Sequence, residues 1–213
     1  MFDGLLFDLD GTLWDSVDAI CVSWNRTLEE LAPEYAGTVT RQRLLPHMGK
    51  LLPDILDRLA PDLDQERAAP LLAELLEAEN RYVAALGGRL YPQAAETLEL
   101  LARRYRLFIV SNCQVGYIEA FFQAHRLEKY FTDYENPGRT GLDKAGNIAL
   151  VAERNGLKRP LYIGDTQGDY HAAAKAGVPF LHAAYGFGTV DAPVPAVERF
   201  ADIPGAVERL SPP

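Results

Sequence analysis

The chain has 213 residues, of which 48% are hydrophobic, and its formal net charge is −9. This length suits one large globular domain, or a core domain with a smaller insertion. The sequence contains no basic run, whereas nucleic acids and anionic membranes are bound through clustered Lys and Arg. We therefore expect neither as a main partner. A small anionic substrate is compatible with the charge, because a metal ion can reverse the local field.

The cysteines and the amino terminus indicate the compartment. Cys21 and Cys113 are too few for a disulfide framework or a metal-binding set. The first residues lack the basic segment of a signal peptide, and no apolar run approaches membrane-spanning length. We expect a cytoplasmic protein.

The first motif lies at the carboxyl end of a predicted buried strand over residues 4–9 and reads Asp8-Leu9-Asp10-Gly11-Thr12. Two carboxylates one residue apart on a strand point the same way and repel each other. Such a cluster usually persists because a cation or a reaction needs it. Gly11 allows a close turn, and the Thr12 hydroxyl can hold that turn.

A helical segment follows the motif. From Ser16, the predicted N-cap, apolar residues recur with helical spacing until Pro33 ends the stretch. Further helices are predicted from Thr40 to Gly49, over 51–59 and over 65–86, and Gly87-Gly88 then breaks the chain. We predict that residues 15–87 are all-helical, with no strand of their own.

After Tyr91-Pro92 strands alternate with helices, which is typical of a parallel sheet. Residues 191–195 are Pro-rich and predicted to form a loop. The predicted strands are 107–111, 130–134, 161–164 and 180–182, and the predicted helices are 93–105, 115–126, 143–154, 168–176 and 203–210. The sequence therefore predicts an α/β core of residues 1–14 and 88–213, interrupted by the helical insertion.

Polar residues follow several of these strands. In open α/β sheets ligands bind beyond the carboxyl ends of the strands, so these residues should converge at one edge. Carboxylates without His or Cys favour Mg²⁺ over zinc, and a hydroxyl and backbone N–H groups can hold phosphate oxygens. Lys144, at a helix start, is the candidate cation against a transferring phosphoryl group. The strand-end residues are Asp8, Asp10, Ser111, Asn112, Asp165 and Asp169.

These motifs, in this order, resemble the haloacid dehalogenase superfamily of hydrolases, in the branch with a helical cap inserted after the first motif. Tyr91-Pro92 is similar to the family's re-entry into the core. The resemblance covers essentially the whole chain. It implies a Rossmann-like parallel sheet core and an all-helical cap domain, residues 15–87 here (the cap).

The resemblance also implies a mechanism. Asp8 would attack phosphorus to give an aspartyl-phosphate, and Asp10 would act as general acid and then general base. The Asp8 side chain, the Asp10 main-chain carbonyl and the Asp165 side chain would hold Mg²⁺. Three further roles are implied: Lys144 and Ser111 would neutralise phosphoryl charge, Asp169 would act through water or by orienting Lys144, and Asn112 would position phosphate or the Asp8 loop.

This sequence differs from several branches of the family at residues that those branches need for their reactions, which reduces the number of possible reactions. Asp10 disfavours a dehalogenase, which lacks the second carboxylate. Residues 17–20 contain no His, which makes a β-phosphoglucomutase less favoured, and the first cap helix has no Lys for a phosphonatase Schiff base. A Mg²⁺-dependent phosphatase remains, similar to the phosphoglycolate phosphatase group. The alternatives are a sugar phosphomutase and a non-catalytic phosphate-binding module.

Substrate choice should reside in the cap. His47-Met48-Gly49-Lys50 sits where the family has a specificity loop, and Lys50 or Arg43 could meet a second anionic group. We predict a small phosphorylated metabolite as substrate and a monomer or weak homodimer. The predicted substrate-binding residues are Thr12, Asn112, Gly49 and Lys50.

Overall fold

A computed structural model describes residues 1–211 and contains one six-stranded sheet and one two-stranded ribbon. The strands are β1 Gly4–Phe7, β2 Trp14–Asp15, β3 Arg89–Leu90, β4 Arg106–Val110, β5 Phe131–Glu135, β6 Pro160–Gly164, β7 Phe180–Ala183 and β8 Ala196–Val197. The helices are α1 Val17–Leu31, α2 Arg41–Leu44, α3 Leu52–Leu59, α4 Gln65–Leu86, α5 Ala94–Ala102, α6 Tyr117–His125, α7 Pro137–Thr140, α8 Lys144–Arg154, α9 Gln167–Lys175 and α10 Ile203–Leu210.

The six-stranded sheet has the order β5-β4-β1-β6-β7-β8, and every neighbouring pair is parallel. Strand β1 lies in the middle, where Phe7 pairs with Ile109 on one side and Ile163 on the other. Successive side chains enter different cores, because Leu5 and Phe7 pack in one buried cluster and Leu6 in a second. The predicted α/β class with a parallel sheet is confirmed.

Helices α1 to α4 lie between the two strands of the ribbon in sequence. The apolar stripe predicted on α1 is buried, and α1 packs against α4, which also packs on α6 of the core. Ser16 stands at the N-cap position of α1, but its side chain does not cap the helix. Its hydroxyl donates a hydrogen bond to Asp10 instead. The division into core and cap domains stays a prediction.

The structure corrects the sequence interpretation at three short strands, β2, β3 and β8. Trp14 and Asp15 pair antiparallel with Leu90 and Arg89, so residue 15 belongs to a strand and the segment 15–87 is not purely helical. Strand β8 directly follows the Pro-rich loop and adds to the sheet edge at β7. Each of these three strands has two residues, which is too short for an alternating hydrophobic pattern to appear in the sequence.

Two predicted boundaries also shift. The first strand ends at Phe7 rather than residue 9, because the chain turns through the first motif. Helix α6 starts at Tyr117 rather than residue 115, because Gly116 has a left-handed φ of 90°. No helix within residues 1–211 is both long enough and apolar enough to cross a membrane.

Candidate active site

The carboxyl ends of β1, β4 and β6 bring their polar residues to one edge of the sheet. The amide of Asp8 donates to the Ile163 carbonyl at 2.8 Å, and the amide of Ser111 donates to the Glu135 carbonyl at 3.2 Å. These backbone bonds continue the ladders past the last strand residues. Asp8, Ser111 and Asp165 are all buried, so their side chains meet in a region of low solvent access.

Lys144 joins this group from the first position of α8. Asp143 caps that helix through the Gly146 amide, which fixes the start of α8. The Lys144 ammonium donates to Asp8 Oδ1 at 2.8 Å and to Asp169 Oδ1 at 2.6 Å. Burial alone would lower the pKa of Lys144, but the two carboxylates outweigh it and hold that pKa well above its usual value. Lys144 is therefore a charged, fixed donor.

Three carboxylates form the candidate metal centre. Oxygen atoms of Asp8, Asp165 and Asp169 lie within 4.8 Å of one another, and all three residues are buried. Burial, with the neighbouring Asp169 charge, raises the pKa of Asp8 to about 7 despite Lys144. Burial and the charges of Asp169 and Asp8 raise the pKa of Asp165 well above its usual range. The site thus has excess negative charge and only oxygen donors, which fits a hard divalent cation such as Mg²⁺.

Asp169 contributes an oxygen to this group and also contacts Lys144. It was expected to act through water or through Lys144, and one of its oxygens contacts Lys144 while the other accepts from the Thr166 amide at 3.0 Å. The Asp10 carboxylate does not belong to the group of three. Its predicted metal contact is through the main-chain carbonyl, and that contact stays a prediction.

Asp165 is held by a loop that sequence reasoning did not assign. Its Oδ2 accepts hydrogen bonds from the Phe187 amide at 2.8 Å and the Gly188 amide at 3.3 Å. Gly186 makes this approach possible, since a Cβ there would lie 2.3 Å from the Asp165 Cβ and from the Gly11 carbonyl oxygen. The Tyr185-Gly186 pair after a strand was a visible signal, but its partner could not be inferred.

Asp10 occupies a different environment from Asp8. Its Oδ1 accepts hydrogen bonds from Trp14 Nε1 at 2.9 Å, from the Tyr117 hydroxyl at 3.0 Å and from the Ser16 hydroxyl. Burial raises the pKa of Asp10, although the three donors lower it. A carboxyl group whose pKa is raised can hold a proton nearer neutral pH, as a general acid requires. No spacing in the sequence marked these three donors.

A narrow cleft lies beside Asp8 and Asp10, between the sheet edge and the helical segment. Its floor includes Asp8, Asp10 and Ser111, and its helical side includes Gly49 and Lys50. The structure therefore brings these five predicted site residues to one cavity.

Other predicted site residues lie elsewhere or make other contacts. The Asn112 amide lines the cleft but donates to the Gly49 carbonyl at 3.0 Å, which links the sheet edge to the helical segment. Thr12 is fully buried, does not line the cleft, and its hydroxyl lies 3.5 Å from Asp165 Oδ1. The Arg43 guanidinium donates to two main-chain carbonyls, those of Thr38 and Leu59. Arg43 is thus engaged away from the cleft.

Comparison with known proteins gives two sequence matches. Residues 5–183 match the family model of haloacid dehalogenase-like hydrolases. The chain is 29% identical to a phosphoglycolate phosphatase of Escherichia coli strain K12, in an alignment that covers 86% of this chain and 82% of that protein.

Solved structures share the fold. A predicted phosphoglycolate phosphatase of Haemophilus somnus superimposes with a TM-score of 0.80 at 23% identity, over 96% of this chain and 97% of that chain. A haloacid dehalogenase-like family hydrolase of Streptococcus pneumoniae gives a TM-score of 0.81 at 21% identity, over the same shares of both chains. At these identities the likeness concerns the fold alone.

Proposed function

Because this chain belongs to the haloacid dehalogenase-like hydrolases and is a phosphoric monoester hydrolase, we propose that it cleaves a small phosphomonoester in a Mg²⁺-dependent reaction with Asp8 as the nucleophile. The observation that carries this proposal is the contact of Lys144 with both Asp8 and Asp169, beside the three clustered carboxylates. Phosphoryl transfer requires positive groups that neutralise the phosphoryl oxygens beside the nucleophile. The Lys144 ammonium and the candidate metal centre stand beside Asp8 in this way.

The reaction proceeds in two displacements. An Asp8 carboxylate oxygen bonds to phosphorus while the bond from phosphorus to the leaving oxygen breaks, and Asp10 gives its proton to that oxygen. Water then attacks phosphorus of the aspartyl-phosphate, and Asp10 takes the proton of this water. Inorganic phosphate leaves, and the Asp8 carboxylate is restored.

Charge compensation is divided among several groups. Lys144 and the Ser111 hydroxyl bind phosphoryl oxygens, and these interactions strengthen as charge develops in the transition state. Asp8, Asp165 and the Asp10 carbonyl are the proposed Mg²⁺ ligands, with Asp169 adjacent. When bound, Mg²⁺ supplies Lewis-acid neutralisation of the phosphoryl oxygens and of the carboxylate cluster.

The substrate is proposed to be a small phosphorylated metabolite, recognised in part by Gly49, Lys50, Asn112 and Thr12 as the sequence predicts. The buried position of Thr12 supports an indirect contribution through Asp165. Phosphoglycolate is the first metabolite to assay, because a curated relative is named for it. A cytoplasmic location and a monomer or weak homodimer stay predictions.

Phosphate release from p-nitrophenyl phosphate tests the proposal. We expect Mg²⁺-dependent turnover that a chelator abolishes, and a loss of at least about 10³-fold in kcat for Asp8→Asn, because the amide cannot form the aspartyl-phosphate. The control is Asp62→Asn at an exposed position, which should leave kcat unchanged. Turnover by Asp8→Asn at the wild-type rate would refute the nucleophile assignment.

A further inference from the structure

One wall of the cleft is formed by Glu79 and Gln114, and the proposed mechanism does not use either residue. Glu79 of α4 lines the cleft and is only 2% exposed. Its Oε2 accepts a hydrogen bond from Trp24 Nε1, and its Oε1 accepts one from Gln114 Nε2 at 3.1 Å. A carboxylate offers about four lone-pair positions. Two donors therefore leave Glu79 able to accept further hydrogen bonds.

A chain of hydrogen bonds fixes which atom of the Gln114 amide faces which partner. The Asn80 amide nitrogen donates to the Val115 carbonyl at 2.8 Å, so the Asn80 oxygen must be its acceptor atom. Gln114 Nε2 donates to that oxygen at 2.9 Å and to Glu79 as well. The remaining atom, Gln114 Oε1, is buried and has no hydrogen-bond partner among the described residues.

The wall thus holds one acceptor without a donor, Gln114 Oε1, and a carboxylate, Glu79, that can accept more than the two hydrogen bonds it has. A buried acceptor without a partner is unfavourable, and a ligand that donates a hydrogen bond removes this penalty. A ligand carboxylate would instead add a third acceptor beside Glu79 and Gln114. Lys50 is the one cation on the helical side of the cleft among the described residues. It is exposed, and its Nζ lies 3.3 Å from His47 Nδ1.

Glu79 and Gln114 line the same cleft as Asp10, which would protonate the leaving group. The charge of Asp10, the proposed general acid, adds to burial in raising the pKa of Glu79 to about 7, so the two carboxyl groups are electrostatic neighbours. Tyr117, which donates to Asp10, also lines the cleft, and its pKa is raised by burial and by both acids. Groups near Asp10 would contact the alcohol portion of a substrate.

We propose that Glu79 and Gln114 form a leaving-group subsite that selects phosphomonoesters whose alcohol portion carries a hydrogen-bond donor, a hydroxyl or an ammonium group, and that rejects those carrying a carboxylate. This inference rests on the proposed function, because it assigns the leaving group to the Asp10 side. It concerns discrimination among substrates and adds no chemical step.

Three esters of equal length test the subsite: 2-hydroxyethyl phosphate, O-phosphoethanolamine and phosphoglycolate. They share the P–O–CH₂ unit and differ in the terminal group, which is CH₂OH, CH₂NH₃⁺ or COO⁻. At pH 8 we expect kcat/KM for at least one donor ester to exceed that for phosphoglycolate by tenfold or more, because a site built for a donor rejects an analogue that lacks it. The two donor esters show which group is preferred. Equal or better cleavage of phosphoglycolate would overturn the proposal.

Variants of Glu79 and Gln114 test whether these two residues cause the preference for donor esters over phosphoglycolate. Glu79→Gln removes the charge at nearly constant volume and should lower the donor-to-carboxylate ratio by about tenfold, as should Gln114→Met, which removes the unpartnered oxygen. The matched control is Glu77→Gln on the same helix, where the carboxylate pairs with Arg81 at the surface. Ratios that stay at the wild-type value in both wall variants would overturn the proposal.

Binding to an inactive background separates this inference from the proposed function. Calorimetry on Asp8→Asn, with and without Glu79→Gln, gives the Kd of each ester without turnover. Donor esters that bind more tightly than phosphoglycolate, with the difference reduced by Glu79→Gln, support the subsite even if no ester is hydrolysed. Hydrolysis of p-nitrophenyl phosphate without this order of Kd values refutes the subsite and leaves the proposed function intact.

Discussion

At the residue scale, the positive charge of the buried Lys144 side chain depends on its two carboxylate partners. An unpaired ammonium at 7% exposure would be costly, because burial disfavours the charged form. Asp8 and Asp169 reverse that balance, and Lys144 in turn lowers the pKa of Asp8 against burial. Each group therefore favours the ionised form of the other, although burial still raises the pKa of Asp8 to about 7.

Lys144→Met tests this dependence. Met keeps most of the apolar stem and removes the charge, so Asp8 should be protonated more at neutral pH and phosphoryl charge should go uncompensated. We expect kcat/KM for p-nitrophenyl phosphate to fall by about 10²- to 10³-fold, the usual effect of losing one such donor. The control is Lys175→Met, whose ammonium pairs with Asp143 at the surface and should be dispensable. Circular dichroism would confirm that both variants fold.

At the scale of elements, the loop after β7 decides where Asp165 points. Two backbone amides, of Phe187 and Gly188, hold one oxygen of this carboxylate. They can reach it only because residue 186 is glycine, since a Cβ at this position would clash with the Asp165 side chain. The backbone of this loop thus orients one of the candidate metal ligands.

Gly186→Ala should therefore damage both folding and activity. The added methyl cannot fit without moving the loop or β6, and we expect the free energy of unfolding to fall by about 2 kcal/mol or more. The control is Gly168→Ala in α9, where the nearest atom, Thr166 Oγ1, lies at an ordinary 3.5 Å. There alanine should be neutral or stabilise by up to about 1 kcal/mol. Urea unfolding measures both, and equal effects would contradict the steric argument.

At the scale of the whole molecule, Asp15 links the two strands, β2 and β3, through which the chain enters and leaves the helical segment. It lies in β2, accepts two hydrogen bonds from Arg41 of α2 at 2.6 and 3.0 Å, and accepts one from Arg89 of β3 at 3.3 Å. Burial alone would raise the pKa of Asp15, but the two guanidinium groups hold it below its usual value. This carboxylate connects a helix of the insertion with both connecting strands.

Asp15→Asn should loosen this junction in a pH-dependent way. At pH 7 we expect the free energy of unfolding to fall by about 1–2 kcal/mol, a value reduced by the partial exposure of Arg41. Because the pKa of Asp15 is lower in the folded state, the wild type loses this stabilisation as the pH falls below about 4, and the two proteins should converge. Asp18→Asn, which alters an exposed contact of Arg41, is the control and should shift stability by less than about 0.5 kcal/mol.

Much of the architecture was determined by the sequence alone. The alternation of strands and helices after residue 91 predicted the parallel sheet, because each element carries a hydrophobic period long enough to read. The strand-end rule predicted that Asp8, Ser111 and Asp165 converge, since parallel strands share one carboxyl edge. The family followed from the same motifs, and the match over residues 5–183 confirmed it.

Tertiary structure alone decided the contacts between distant segments. The donors to Asp10, the loop that holds Asp165, the ribbon of β2 and β3 and the Glu79–Gln114 wall each join residues with no common spacing in the sequence. Local periodicity reports which face of an element is buried, but not which side chain from elsewhere meets it there. The chemistry is therefore readable along the chain at the strand ends, whereas the surroundings that tune it arise only when the segments pack together.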